Sequence, residues 1–225
     1  MEEWRLFVGL AVPADVAAWL DGRMAVLAER LPFRRWTHPA DLHVTLHFLG
    51  EAPSARVEAV RKAVAETAAG AAPFVLSLAE PGTFGPSSAP RVLWCGVADP
   101  SAGAPRVQRS PQVPEALARL HADLGTRLAA AGFSLEARPF RPHVTLARGG
   151  GAGCGPSAVA EAWRAATRSG SRNGDGRRDA GEPGAGPASP FPPLPVWTAD
   201  RLTLFRSRLG QRPSYERLAE FPFGR

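Results

Sequence analysis

Two histidines open identical tetrapeptides one hundred positions apart, His43-Val44-Thr45-Leu46 and His143-Val144-Thr145-Leu146. The chain holds only five histidines, so composition does not explain a repeat built on this scarce residue. Side chains alternate across an extended strand, so each motif sets an imidazole and a hydroxyl on one face and Val and Leu on the other. If the two halves of the chain are pseudo-symmetric, the two His-Thr pairs can face each other across a cleft. An imidazole titrates near pH 6.5, so one copy can be neutral and act as a base while the other is charged and acts as an acid. That pairing suits in-line displacement at phosphorus. One histidine takes a proton from water and the other gives one to the leaving oxygen, each worth about 10²–10⁴-fold. Thr45 and Thr145 can donate to the non-bridging oxygens as charge shifts. Arg148 follows the second motif on the same strand and can add a cation. These residues alone do not say which histidine plays which role.

One such histidine by itself would read as a partner of a backbone carbonyl; the duplication points to chemistry. The two motifs could also supply metal ligands. No acidic cluster completes such a set, and Asp41 would have to swing round to join it, so no metal is expected. The remaining histidines carry less. His47 shares the alternating face with His43 and Thr45 and is expected to border the cleft. His38 lies in the preceding loop, and His121 sits beside a leucine stripe with a structural role. Trp36, Phe48 and Phe84 are candidates to stack a base, although packing is the plainer role for each. Trp4, Trp19, Trp94, Trp163 and Trp197 read as packing residues.

Strands and helices must alternate to position the motifs. Residues 4–12 read as a buried strand, and Pro13 opens a helix striped by Val16, Trp19, Leu20, Leu27 and Leu31. Residues 42–49 form the first motif strand, and Val57, Val60, Val64 and Ala68 mark the next helix. Residues 73–80 and 91–98 are two strands joined by a Pro/Gly-rich turn. The second half repeats this order. Pro114 opens a helix striped by Leu117, Leu120, Leu124 and Leu128, with Gly132 as its stop. Residues 142–148 carry the second motif, 157–168 form a short helix, and 196–206 and 214–221 form a closing strand pair. Residues 99–113 and 169–193 break the pattern. The second stretch has too few large apolar side chains to offset the entropy of ordering it. Both are expected to be loop insertions, the second largely disordered.

The 225 residues carry a net charge of +6. A positive surface attracts phosphate polyanions, although an Arg-rich composition would give the same sign without selection for it. Lys62 is the only lysine. No apolar run reaches the ~18 residues of a membrane span, and the first residues lack a signal-peptide pattern. The expectation is a soluble cytoplasmic protein. Cys95 lies in an apolar run and reads as a small buried hydrophobe, Cys154 lies among glycines and reads as incidental, and the two suggest neither a disulfide framework nor a zinc site.

At these residues the chain resembles the 2H phosphoesterase superfamily, and within it the RNA 2',3'-cyclic phosphodiesterase (2'-5' RNA ligase) family. Residues 35–51 (RWTHPADLHVTLHFLGE) and 140–148 (FRPHVTLAR) resemble its two motif blocks. Residues 202–223 resemble its closing strand pair, with Tyr215 in the aromatic position. The resemblance implies an α+β fold: one bilobal, pseudo-two-fold domain over 1–225, with two antiparallel sheets backed by helices around a central cleft. One lobe would hold both termini and the other the middle of the chain. It further implies His43 as proton donor to the departing 3' oxygen and His143 as the base that activates water. The product would be a 2'-phosphomonoester. The substrate would be an RNA or nucleotide ending in a 2',3'-cyclic phosphate, contacted by Arg148, Tyr215 and Phe48. No cofactor, no membrane and a monomeric state are expected. Two alternatives stay open: ATP-independent 2'-5' ligation by reversal of ring opening, and a non-catalytic RNA-binding module. ATP-driven ligation fits poorly, because Lys62 sits in a helical RKAVAE segment and not in a strand-turn nucleotidyl motif.

Overall fold

A computed structural model describes residues 2–102, 113–169, 194–208 and 210–224. Most of the two expected insertions, 99–113 and 169–193, therefore lies outside the described residues. The remainder folds into nine strands and four α-helices. The strands are β1 (Glu3–Ala11), β2 (Arg35–Trp36), β3 (His43–Pro53), β4 (Phe74–Phe84), β5 (Val92–Ala98), β6 (His143–Arg148), β7 (Val196–Ala199), β8 (Arg201–Ser207) and β9 (Tyr215–Pro222). The helices are α1 (Ala14–Ala28), α2 (Val57–Gly70), α3 (Glu115–Ala130) and α4 (Pro156–Ser169).

Local sequence accounts for most of these boundaries. Pro13 and Pro114 occupy the N-caps of α1 and α3. Val16, Leu20, Met24 and Leu27 recur at three- and four-residue spacing and form the buried stripe of α1. Leu117, Leu120, Leu124 and Leu128 do the same in α3. Gly132, at φ +80, ends α3. There its N–H donates to the Ala129 carbonyl and that of Phe133 to the Leu128 carbonyl, closing the last turn.

All paired strands run antiparallel, in the order β7-β4-β5-β6-β3-β1-β8-β9, with the short β2 also on β6. The two sheets implied by the resemblance are thus the two halves of one curled sheet. β3-β1-β8-β9 lies near both termini and packs against α2 and α3, while α1 packs on α4, which rests on β4 of the other half. The halves are joined by a single pair, Val44 opposite Val144. Each is the second residue of its motif and is fully buried.

Two expectations change. The segment 196–206 is two strands, not one. Val196–Ala199 pairs with β4 and Arg201–Ser207 with β1, at distant places in the sheet. The chain switches at Asp200, a single residue between the two strands, with no Gly or Pro to mark the break. Cys154 is also not incidental, because the turn after Gly151 folds it fully into the apolar core. Cys95 is buried as expected, where desolvation pushes its thiol pKa up.

Candidate active site

Antiparallel pairing centred on Val44 and Val144 has a direct consequence. It carries His43 toward Thr145 on the neighbouring strand and His143 toward Thr45. The duplicated motifs therefore place two imidazoles and two hydroxyls on one face of the junction between the lobes, as the sequence suggested.

Beyond the threonines, simple alternation fails in the same way in both copies. Along β3, Thr45 pairs with Gly9 and His47 with Val8, so Leu46 has no opposite residue. Along β6, Thr145 pairs with Trp94 and Ala147 with Leu93, so Leu146 has none. Each motif thus carries a β-bulge at its leucine, which re-aims the side chains that follow. Phe48 and Arg148, the fifth residue after each histidine, are turned back onto the histidine face. The Phe48 ring lies 5.9 Å from that of Phe7, which itself packs 4.7 Å from His43. Phe48 is 49% exposed. The charge of Arg148 is felt at both histidines, where it disfavours the imidazolium.

The same bulge overturns the placement of His47. Its ring faces the helix side of the sheet, stacked 4.1 Å from His121, and its Nε2–H donates to the His121 carbonyl at 2.9 Å. Gly125 makes room for it, since a Cβ there would come within 3.0 Å of His47 Nε2. His121 stacks in turn on Phe140 at 4.0 Å. Burial lowers the pKa of both histidines, that of His121 to about 4. Trp36 also turns away from the cleft. It lies opposite the buried Ala147 and packs on Phe33. Phe84, by contrast, stands edge-on to His143 at 4.9 Å.

Backbone carbonyls fix the tautomers of the central pair. His43 Nδ1 lies 2.6 Å from the Asp41 carbonyl, and His143 Nδ1 lies 2.6 Å from the Arg141 carbonyl. A carbonyl only accepts, so each Nδ1 carries hydrogen and each Nε2 is left for chemistry. His43 Nε2 lies 3.0 Å from Thr45 Oγ1. Around His43 stand Phe7, Phe205 at 5.4 Å, and Tyr215 edge-on at 5.1 Å. Around His143 stand Phe84 and, at 6.0 Å, Trp94.

Both pKa values are lowered. For His43 desolvation is the largest cause, opposed by the hydrogen bond to the Asp41 carbonyl and by the Asp41 charge, and the result is about 4. For His143 desolvation again leads, opposed by the bond to the Arg141 carbonyl and reinforced by Arg148. Only His43 has a carboxylate that favours its charged form.

The sequence offers Asp41 only as a metal ligand, and its place in the fold is different. It is 4% exposed, and its two carboxylate oxygens accept the backbone N–H groups of Ser214, at 2.7 Å, and Tyr215, at 3.0 Å. One residue therefore orients the His43 ring through its carbonyl and fixes Tyr215 beside that ring through its carboxylate. The partners are more than 170 positions away along the chain, so no local pattern announces them. Among the described residues, no three His, Cys, Asp or Glu side chains come together in a way that could hold a metal ion.

Known proteins match the chain in family and in fold. Residues 13–211 match the family model for the 2'-5' RNA ligase superfamily. A Geobacillus stearothermophilus protein named RNA 2',3'-cyclic phosphodiesterase is 30% identical over 99% of this chain, which spans 58% of that protein's length. A Bacillus subtilis protein of the same name is 29% identical over 96% of this chain and 94% of its own. The fold is similar to that of Escherichia coli LigT, solved with 3'-AMP, at TM-score 0.62 and 22% identity over the whole of both chains. It is also similar to TT0787 of Thermus thermophilus, at TM-score 0.63 and 24% identity over 98% of each.

Proposed function

The chain belongs to the 2'-5' RNA ligase superfamily, and from that premise we propose that it hydrolyses 2',3'-cyclic phosphate ends of RNA to 2'-phosphomonoesters without a metal. The observation that carries the reading is the pair of imidazoles on one face, each with Nδ1 bound to a carbonyl and Nε2 available, with the Arg148 charge acting on both. The names of the bacterial relatives point to the same reaction.

Water attacks phosphorus as His143 Nε2 takes its proton. The bond from phosphorus to the 3' oxygen breaks as His43 gives that oxygen a proton from Nε2. Arg148, Thr45 and Thr145 hold the non-bridging oxygens as their charge grows. The assignment of His43 as the acid follows the family resemblance; the Asp41 carboxylate favours imidazolium there, against a larger desolvation that disfavours it. A pKa of about 4 leaves only roughly one His43 in a thousand protonated at pH 7 in the empty cleft. A bound phosphodiester anion offsets the Arg148 charge and draws a proton onto His43, so that the acid forms with the substrate in place. Tyr215 and Phe48 flank the ribose or base. The same reading has the protein acting as a cytoplasmic monomer; among the described residues, no helix is long and apolar enough to cross a membrane.

Incubation with a nucleoside 2',3'-cyclic phosphate, followed by chromatographic separation of the 2'- and 3'-monophosphates, tests the reading. Accumulation of the 2' isomer supports it. No turnover of this substrate or of a cyclic-ended oligonucleotide by folded protein would favour the binding-module alternative.

A further inference from the structure

On the cleft face the second lobe carries one row of side chains that runs across four strands. Phe84 pairs with Val92, Val92 with Arg148, and Arg148 with Arg35. Directly opposed residues in an antiparallel pair point to the same face. Arg35 therefore projects with Arg148, while its neighbour Trp36 points into the core beside Ala147. β2 lies along the same edge of β6 as β3, where the sheet opens between its halves, so Arg35 stands at the mouth of the cleft.

Two like charges directly opposed on adjacent strands destabilise the pair unless an anion lies between them. Both guanidinium side chains are exposed. Nine ion pairs occupy seven other arginines, yet among the described residues neither Arg35 nor Arg148 has a carboxylate within reach. Arg34 adds positive charge behind the row, its Nε donating to the Gly149 carbonyl. The sheet thus keeps a cation one strand outward from the one that serves the scissile phosphate, and leaves it unpaired.

We propose that Arg35 binds the internucleotide phosphate next to the cyclic end, so that the preferred substrate is an oligonucleotide and not a nucleoside cyclic phosphate. This rests on the phosphodiesterase reading above. Arg148 takes the reacting phosphate, Arg35 the next one along the strand, and the guanidinium fork suits two phosphate oxygens at once.

The test compares a nucleoside 2',3'-cyclic phosphate with a dinucleotide ending in the same group, for the wild-type protein and for R35Q and R35K. The wild-type kcat/KM is expected to be roughly tenfold higher on the dinucleotide. R35Q is expected to remove most of that preference through KM while leaving turnover of the mononucleotide unchanged. R35K, which keeps the charge but loses the fork, is expected to fall between. Raising salt should weaken dinucleotide binding with a slope that R35Q reduces by about 0.7, one phosphate contact to a single strand. Equal kcat/KM for the two substrates, or the same loss on both in R35Q, would overturn the proposal while leaving the phosphodiesterase reading intact. Turnover of neither substrate by wild-type protein would overturn that reading and this one with it.

Discussion

The two copies of the motif have the same backbone and different surroundings. In both, a histidine gives its Nδ1 hydrogen to the carbonyl two residues back, and a bulge follows at the leucine. The differences begin at the side chains. The residue that supplies the carbonyl is Asp41 in the first copy and Arg141 in the second. The fifth residue after the histidine is Phe48 in the first and Arg148 in the second. The first histidine is walled by Phe7, Phe205 and Tyr215 and the second is flanked by Phe84 and Trp94; both feel the Arg148 cation, and only the first sees a carboxylate. Duplication supplied two equivalent imidazoles, and divergence of the neighbours set a carboxylate beside the first alone.

Removing either imidazole should have the largest effect. His43→Ala and His143→Ala are each expected to lower kcat/KM on a cyclic phosphate by about 10²–10⁴-fold. In the double variant the losses should fall well short of multiplying, because the groups act as a unit. Steady-state kinetics in EDTA check this, and EDTA itself should leave the wild type unaffected.

The fifth positions come next. Arg148→Gln should cost roughly 10–10²-fold in kcat. It should also raise the pKa values of both histidines, since the cation depresses each. Phe48→Ala should raise KM severalfold and leave those titrations in place. A pH–rate profile, with NMR titration of the imidazoles, separates the two outcomes. The same titration should show the His43 pKa rising from about 4 when a nucleoside 2'-phosphate is added.

A smaller effect distinguishes the two residues whose carbonyls accept from the histidines. Asp41→Asn leaves one of two buried backbone N–H groups facing an amide nitrogen, which should lower stability by about 1–3 kcal/mol. It should also reduce kcat severalfold through misplaced Tyr215 and His43. Arg141→Ala should do neither to a comparable extent, because only its carbonyl is used. Urea unfolding and initial rates on both proteins check this.

The smallest effect lies behind the first motif. His47 and His121 are held with lowered pKa values in the fold, whereas the unfolded chain protonates them near 6.5. The unfolded state therefore binds more protons below that pH. The stability they allow is complete above about 6.5 and is lost as pH falls toward about 4. Denaturation midpoints measured across that window should fall, and fall less in a His121→Phe variant.

Much of this was legible in the chain. Helix stripes such as Leu117 to Leu128, the prolines before α1 and α3, and the repeated tetrapeptides all depend on local spacing. What escaped depends on pairing with distant strands. The bulges at Leu46 and Leu146 arise from register against β1 and β5, so alternation put His47 on the wrong face and gave no reason for Arg148 to share the face of Thr145. The switch at Asp200 is invisible because one residue separates the two strands, with no Gly or Pro to mark a turn. Asp41 gained its place only from Ser214 and Tyr215, brought to it by the fold.

Opposite proton roles for two copies of one motif are the centre of this account, and a change of leaving group tests them most directly. A 4-nitrophenyl phosphodiester releases an anion that needs no proton, in contrast to the 3' oxygen of a cyclic phosphate. Rates of His43→Ala and His143→Ala relative to wild type would be measured on both substrates. His43→Ala is expected to recover to within about tenfold of wild type on the aryl ester, while His143→Ala stays roughly 10²–10⁴-fold impaired on both. Recovery of His143→Ala in its place would reverse the assignment, and equal impairment of both variants on both substrates would contradict the division of roles altogether.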